Sequence, residues 1–109
     1  MTNETKIARK LSQMKKGCLN LKDRFFIDGK EYLLSTVELP MYDGLDRLTR
    51  ILFRIEPFET MLFEIEENGG VNWLDLYYER YGSAVEAEKR HNELVEKARK
   101  GIKFWEEEK

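Results

Sequence analysis

Large apolar residues fall at every second position along much of the middle of this chain, and at every third or fourth position near both ends. Thr60 to Glu66 and Val71 to Tyr81 are two runs rich in aromatic and β-branched residues, separated by the turn cluster Glu67-Asn68-Gly69-Gly70. That arrangement predicts a hairpin, its first strand starting near Phe58 after Pro57. Along the first strand Met61, Phe63 and Ile65 point one way, and Leu62, Glu64 and Glu66 mostly toward water. Along the second, Leu74, Leu76 and Tyr78 share one face while Trp73, Asp75 and Tyr77 share the other.

An earlier hairpin is expected from Arg24 to Leu39. Its turn is Asp28-Gly29, a favoured pair for a type I′ turn. Leu33, Ser35, Val37 and Leu39 line one face of its longer strand, and Tyr32, Leu34 and Thr36 the other; Pro40 ends it. Met41 to Asp46 reads as a loop turning at Asp43-Gly44. Leu45 to Ile55 fits both periods: Leu45, Leu48, Leu52 and Ile55 suit a helix, Ile51, Phe53 and Ile55 a strand. The good strand formers Thr49, Ile51, Phe53 and Ile55 favour a strand from Thr49 to Ile55.

Helices are expected at the two ends. Ile7, Leu11, Met14 and Cys18 form an apolar stripe over a basic amphipathic helix at residues 1–17, which Thr2 or Asn3 can cap and Gly17 can end. Ser83-Ala84-Val85-Glu86 is a capping box that starts a helix over 83–100. Its stripe is Ala84, Ala87, His91, Leu94, Ala98, Ile102 and Trp105, with Val95 beside it. Gly101 ends it, and Phe104 and Trp105 imply that the tail still docks. The expected fold is a single α+β domain over 1–109. An antiparallel sheet of four or five strands spans 24–81, with the C-terminal helix and the N-terminal one packed on it.

Composition agrees with a folded domain: 41% of residues are hydrophobic and 12% aromatic, too many for a disordered chain. No apolar run suits a membrane span, and the polar N-terminus does not suit a secretory signal. Cys18 is the single cysteine, so an intrachain disulfide is impossible and a reducing, cytoplasmic setting is expected. Charge is uneven. Met1 to Arg24 holds seven basic and two acidic residues, so with a net charge of −2 the remainder carries −7. Glu56 to Glu79 contains seven acids and no lysine or arginine. Such asymmetry steers partners or draws two ends of one molecule together.

The motifs Ser35-Thr36-Val37-Glu38-Leu39-Pro40, Glu59-Thr60-Met61-Leu62-Phe63, Glu79-Arg80-Tyr81, Glu86-Ala87 and His91 occur in that order. In order and spacing they resemble a family of small bacteriophage and prophage proteins with the pattern S-T-V-x-L-P, E-T-M-x-F, R-Y, E-x-A and a histidine. The likeness spans Tyr32 to Val95. Members often carry glycine before the histidine, where this chain has Arg90. The resemblance implies a phage-associated origin, hence a host-cell cytoplasm, and a compact α+β domain. It implies no reaction, because the family has no settled activity.

Chemistry is thinly signalled. Cys18 lies on an apolar stripe without a neighbouring base, and there is no phosphate loop or nucleophile elbow. Glu88 and His91 make one Glu-x-x-His, half of a di-iron motif that needs four contributing helices; a core histidine bonded to Tyr78 or Thr60 is the plainer expectation. No catalytic residue, metal ligand or cofactor is assigned. A sheet covered on one side leaves a second face, expected to show Trp73 and Tyr77, with Tyr32, rimmed by Glu64, Glu66 and Asp75. Such a face suits a host or phage protein with a basic groove, as in a defence system inhibited by acidic mimicry of nucleic acid. A homodimer or the N-terminal helix would cover the same face. The alternative is nucleic-acid binding through Lys6, Arg9, Lys10, Lys15 and Lys16. A further alternative, metal-dependent hydrolysis, requires carboxylates such as Glu64, Glu66 and Asp75 to converge.

Overall fold

The computed structural model describes residues 19–40 and 45–107; the expected helix at 1–17, Cys18 and the turn at Asp43-Gly44 lie outside the described residues. Four strands, β1 (Asn20–Ile27), β2 (Lys30–Glu38), β3 (Phe58–Ile65) and β4 (Val71–Tyr81), form one antiparallel sheet in sequence order. Helix α1 (Arg47–Leu52) interrupts the connection from β2 to β3, and helix α2 (Ala84–Arg99) follows β4. A 3₁₀ turn at Phe104–Glu106 closes the described chain.

Local chemistry explains the turns. Asp28 and Gly29 have φ of 54° and 79°, the two positive values a type I′ turn requires, and Ile27 pairs with Lys30 across it. Strand β1 begins four residues before the expected Arg24, because Leu21 and Phe25 continue its buried alternation back to Asn20, opposite Val37. At the second hairpin Gly69 takes φ 87° and the Asn68 side chain accepts from the Gly70 amide at 2.8 Å.

The main core lies on one face of the sheet, and a smaller cluster of Leu33, Phe63 and Ile65 lies on the other. Register places Leu21, Phe25 and Ile27 of β1, Tyr32, Leu34 and Thr36 of β2, and Phe58, Thr60 and Leu62 of β3 on the main-core face. Helix α2 covers that face with Ala87, His91, Leu94, Val95 and Ala98, as its stripe predicts; Ala84 at its start is exposed. The expectation that Leu62 points to water is wrong. Leu62 faces Leu34 on the helix side and is fully buried, because Met61 and Phe63, its neighbours, occupy the opposite face.

Two ends hold α2 in place. Ser83 Oγ accepts from the Glu86 amide at 3.2 Å, and Glu86 reaches back to the Gly82 amide, one residue before the serine, at 3.4 Å. Gly101, with φ 81°, turns the chain at the far end, where the Ile102 amide bonds to the Lys97 carbonyl at 3.0 Å. Phe104 then drops into the core and Trp105 packs on Tyr32, ring centroids 4.8 Å apart. Replacing Ser83 with Ala is expected to lower stability by about 1 kcal/mol in chemical denaturation, the ordinary worth of an N-cap; no change would mean that Glu86 alone holds this end.

The expected strand at Thr49 to Ile55 is a helix instead. Asp46 caps it, accepting from the Thr49 amide at 2.7 Å, and Arg54 in the left-handed region ends it at φ 53°. Strand propensity lost because this segment lies beyond the end of the sheet with no ladder to join. Among the described residues no helix is long and apolar enough to cross a membrane.

Candidate interaction surface

Strand β4 is an edge of the sheet and it is not regular. Leu62 pairs with Tyr77 and Glu64 with Asn72, so two steps along β3 span five along β4. Trp73, Leu74, Asp75 and Leu76 therefore bow outward as a wide bulge with three extra residues. An odd excess reverses which face each residue meets. Tyr77 accordingly lies on the helix side, not beside Trp73 as plain alternation predicts. Trp73 stands over the far face, edge-on to Phe63 at 5.1 Å between ring centroids.

The bulge is the most apolar exposed stretch of the sheet. Trp73, Leu74, Leu76 and Tyr78 are all exposed, and so is Asp75 between them. Glu66 and Glu67 project from the adjoining turn. Glu64 lies on the helix side and pairs with Lys30 at 2.9 Å. The expected face of three rings and three acids is thus divided: Trp73 and Asp75 share the bulge, Glu66 sits at the turn, and Tyr77, Tyr32 and Glu64 are across the sheet. Tyr32 is buried in the core. The far face is of mixed sign, with Lys22, Arg24 and Arg80 beside Glu31 and Glu59.

Tyr77 has a different setting. Its ring meets Phe104 edge-on, and its hydroxyl donates to Glu79 Oε2 at 2.6 Å. Arg90 Nε donates to the other oxygen of Glu79 at 3.1 Å. Partial burial pushes the Glu79 carboxyl up; the Tyr77 hydrogen bond and the Arg90 charge outweigh it, so the pKa ends below the usual range. Burial, then the Glu79 bond, pushes the Tyr77 phenol up. Two strand residues are thereby tied to α2.

His91 joins a buried polar chain. Its Nε2 lies 2.7 Å from Asp23 Oδ2 and its Nδ1 2.7 Å from Thr36 Oγ1, which lies 2.6 Å from Thr60 Oγ1. The direct strand partner is thus Thr36, with Thr60 one step further; Tyr78 lies on the opposite face. Asp, His and a hydroxyl in series have the connectivity of a hydrolase relay. Here Thr36, Thr60 and His91 are fully buried, so no substrate reaches the hydroxyl. The network orients α2 on the sheet. Tyr81 lies nearby, and burial drives its phenol pKa well up.

A second apolar surface escaped the sequence reading. Leu48, Ile51, Leu52 and Phe53 on and after α1 are exposed, and a shallow groove lined by Leu45, Ile51, Ile55 and Phe58 separates them from Gly82 to Ala84. Among the described residues, no three His, Cys, Asp or Glu side chains gather as a metal site would require. Lys6, Arg9, Lys10, Lys15 and Lys16, the nucleic-acid candidates, lie outside the described residues. No family model, curated protein or solved structure matches the chain.

Proposed function

We propose that this is a small, non-catalytic accessory protein of phage or prophage origin that acts by binding another protein through the outer edge of β4. The observation that carries the reading is the bulge: Trp73, Leu74 and Leu76 stay exposed on an edge strand. Each such side chain forgoes roughly 1.5–3 kcal/mol of burial in the free protein, which a partner can recover. Tryptophan is also the side chain most often found at energetic centres of interfaces. Asp75, Glu66 and Glu67 add negative charge around it, suiting a partner with a basic surface. Inhibition of a host defence system is the specific form of this reading. The phage-like motifs and the acidic, ring-bearing edge support it.

Affinity capture from a bacterial host lysate tests the reading. The wild-type chain is compared with Trp73→Ala/Leu74→Ala and with a variant reversing Glu66, Glu67 and Asp75, each checked for native circular dichroism. Loss of the tryptophan anchor is expected to weaken capture by about 30-fold or more. Equal capture by all three proteins would remove the proposal. Capture of DNA or RNA that declines steeply with salt would instead favour the basic N-terminal residues as the working surface.

A further inference from the structure

Helix α1 stands apart from the rest of the domain. Among the described residues it has no substantial packing against any strand or against α2. A mostly buried ion pair from Arg50 to Glu38, at 3.5 Å, ties it to the end of β2. Six residues are too few for a helix to persist on its own propensity. Its apolar side chains nevertheless face water: Leu48, Ile51, Leu52 and Phe53 are between 61% and 74% exposed. With Leu45 they show roughly 400 Å² of apolar surface. A standard interface takes about 800 Å² from each partner, a little over half of it apolar, which is roughly the same amount.

Shape and charge indicate what covers this surface. Beside the α1 ridge runs a groove of about 900 Å³ that reaches Ile55, Phe58 and Gly82 to Ala84, with room for several aliphatic side chains. Arg54 and Glu56 also line it, and both are exposed. Among the described residues neither side chain has an ion pair. The backbone that carries them is held firmly. Arg54 takes φ 53°, the Ile55 amide donates to the Arg50 carbonyl at 2.9 Å, and the Glu56 carbonyl accepts from the Arg80 guanidinium. A left-handed conformation at a residue other than glycine costs about 1 kcal/mol or more, and persists where its surroundings impose it. Opposite charges on either side of Ile55 are complementary to themselves: a two-fold rotation about Ile55 brings each against the other. The same rotation carries the α1 ridge, which precedes Ile55, over the groove formed by residues that follow it.

We propose that the α1 surface is a two-fold interface between two copies of this chain. The ridge of Leu48, Ile51, Leu52 and Phe53 in each copy lies in the groove of the other, and Arg54 of each copy pairs with Glu56 of the other. The interface is separate from the β4 bulge, because the groove meets the chain just beyond Tyr81 and the bulge lies toward the opposite end of that strand. Each dimer therefore presents two copies of the bulge to other partners.

Sedimentation equilibrium of the full chain tests this. The wild-type protein is expected to be mainly dimeric at about 100 µM, since standard-size interfaces hold at micromolar concentrations or below. Leu52→Asp, at an exposed position, should give a monomer with native circular dichroism. Arg54→Glu and Glu56→Arg should each weaken dimerisation by about tenfold or more, because each sets like charges against one another twice. An equimolar mixture of those two variants should form a heterodimer more tightly than either variant pairs with itself, since both cross-pairs are then opposite in sign. Trp73→Ala/Leu74→Ala should leave the dimer unchanged, which keeps this result distinct from capture by the bulge. A monomeric wild-type chain at that concentration would overturn the proposal. So would a dimer that survives Leu52→Asp, an open-ended assembly, or a mixture of the two charge variants without preference for the heterodimer.

Discussion

His91→Ala is expected to destabilise the protein by about 3–5 kcal/mol, a large part of the 5–15 kcal/mol typical of a domain. Two losses combine. A fully buried ring is removed from the α2 interface, leaving a cavity. Asp23 Oδ2 and Thr36 Oγ1 also lose a shared hydrogen-bond partner, each bond 2.7 Å long. Removing one side of a buried polar pair costs more than the pair contributes, because the remaining group stays desolvated. Urea denaturation would show the midpoint fall with the slope unchanged. His91→Gln keeps one donor and one acceptor and should recover part of the loss. A change below about 1 kcal/mol for His91→Ala would mean that apolar packing alone seats the helix.

The network also shows what a sequence withholds. Thr36 lies 55 residues from His91 and Asp23 lies 68 away, so the pairing depends on register that no local pattern encodes. The apolar stripe of α2 placed His91 on the core face, and that much was legible. Two other local devices were legible, while the Asp46 cap of α1 was not. Asp28-Gly29 and the Ser83 to Glu86 box act within four residues, and both formed where their chemistry requires. Gly101 likewise terminates α2.

Failures came where a neighbour decides. Alternation along β4 holds from Tyr77 to Tyr81, then breaks because β3 offers too few partners for Trp73 to Leu76. Nothing in the run Val71 to Tyr81 marks that break, since a bulge is a property of two strands. Trp73 and Asp75 are exposed on the bulge. Tyr77 lies across the sheet from them because the bulge shifts the alternation of β4. Leu45 to Ile55 was ambiguous for another reason. A six-residue helix contains under two turns, too few to display its period, and its apolar residues are exposed, so burial could not arbitrate.

Leu62 and Leu74 turn that lesson into a paired measurement. Their sequence settings look alike: each sits in a strand next to an acid or an aromatic. Leu62 is 0% exposed between Leu34 and the helix, whereas Leu74 on the bulge is 78% exposed. Leu62→Ala is therefore expected to cost about 2–5 kcal/mol, from lost transfer energy plus the cavity that remains. Leu74→Ala should stay within about 0.5 kcal/mol, as surface changes do. The two should also separate by function. On the proposed function, Leu74→Ala should leave the fold intact and weaken capture of a partner, while any effect of Leu62→Ala on capture should follow its unfolded fraction and disappear on cooling to where the fold is restored. Equal stability losses for the two variants would contradict the β3 to β4 register, because the three-residue excess at the bulge is what puts Leu74 in water.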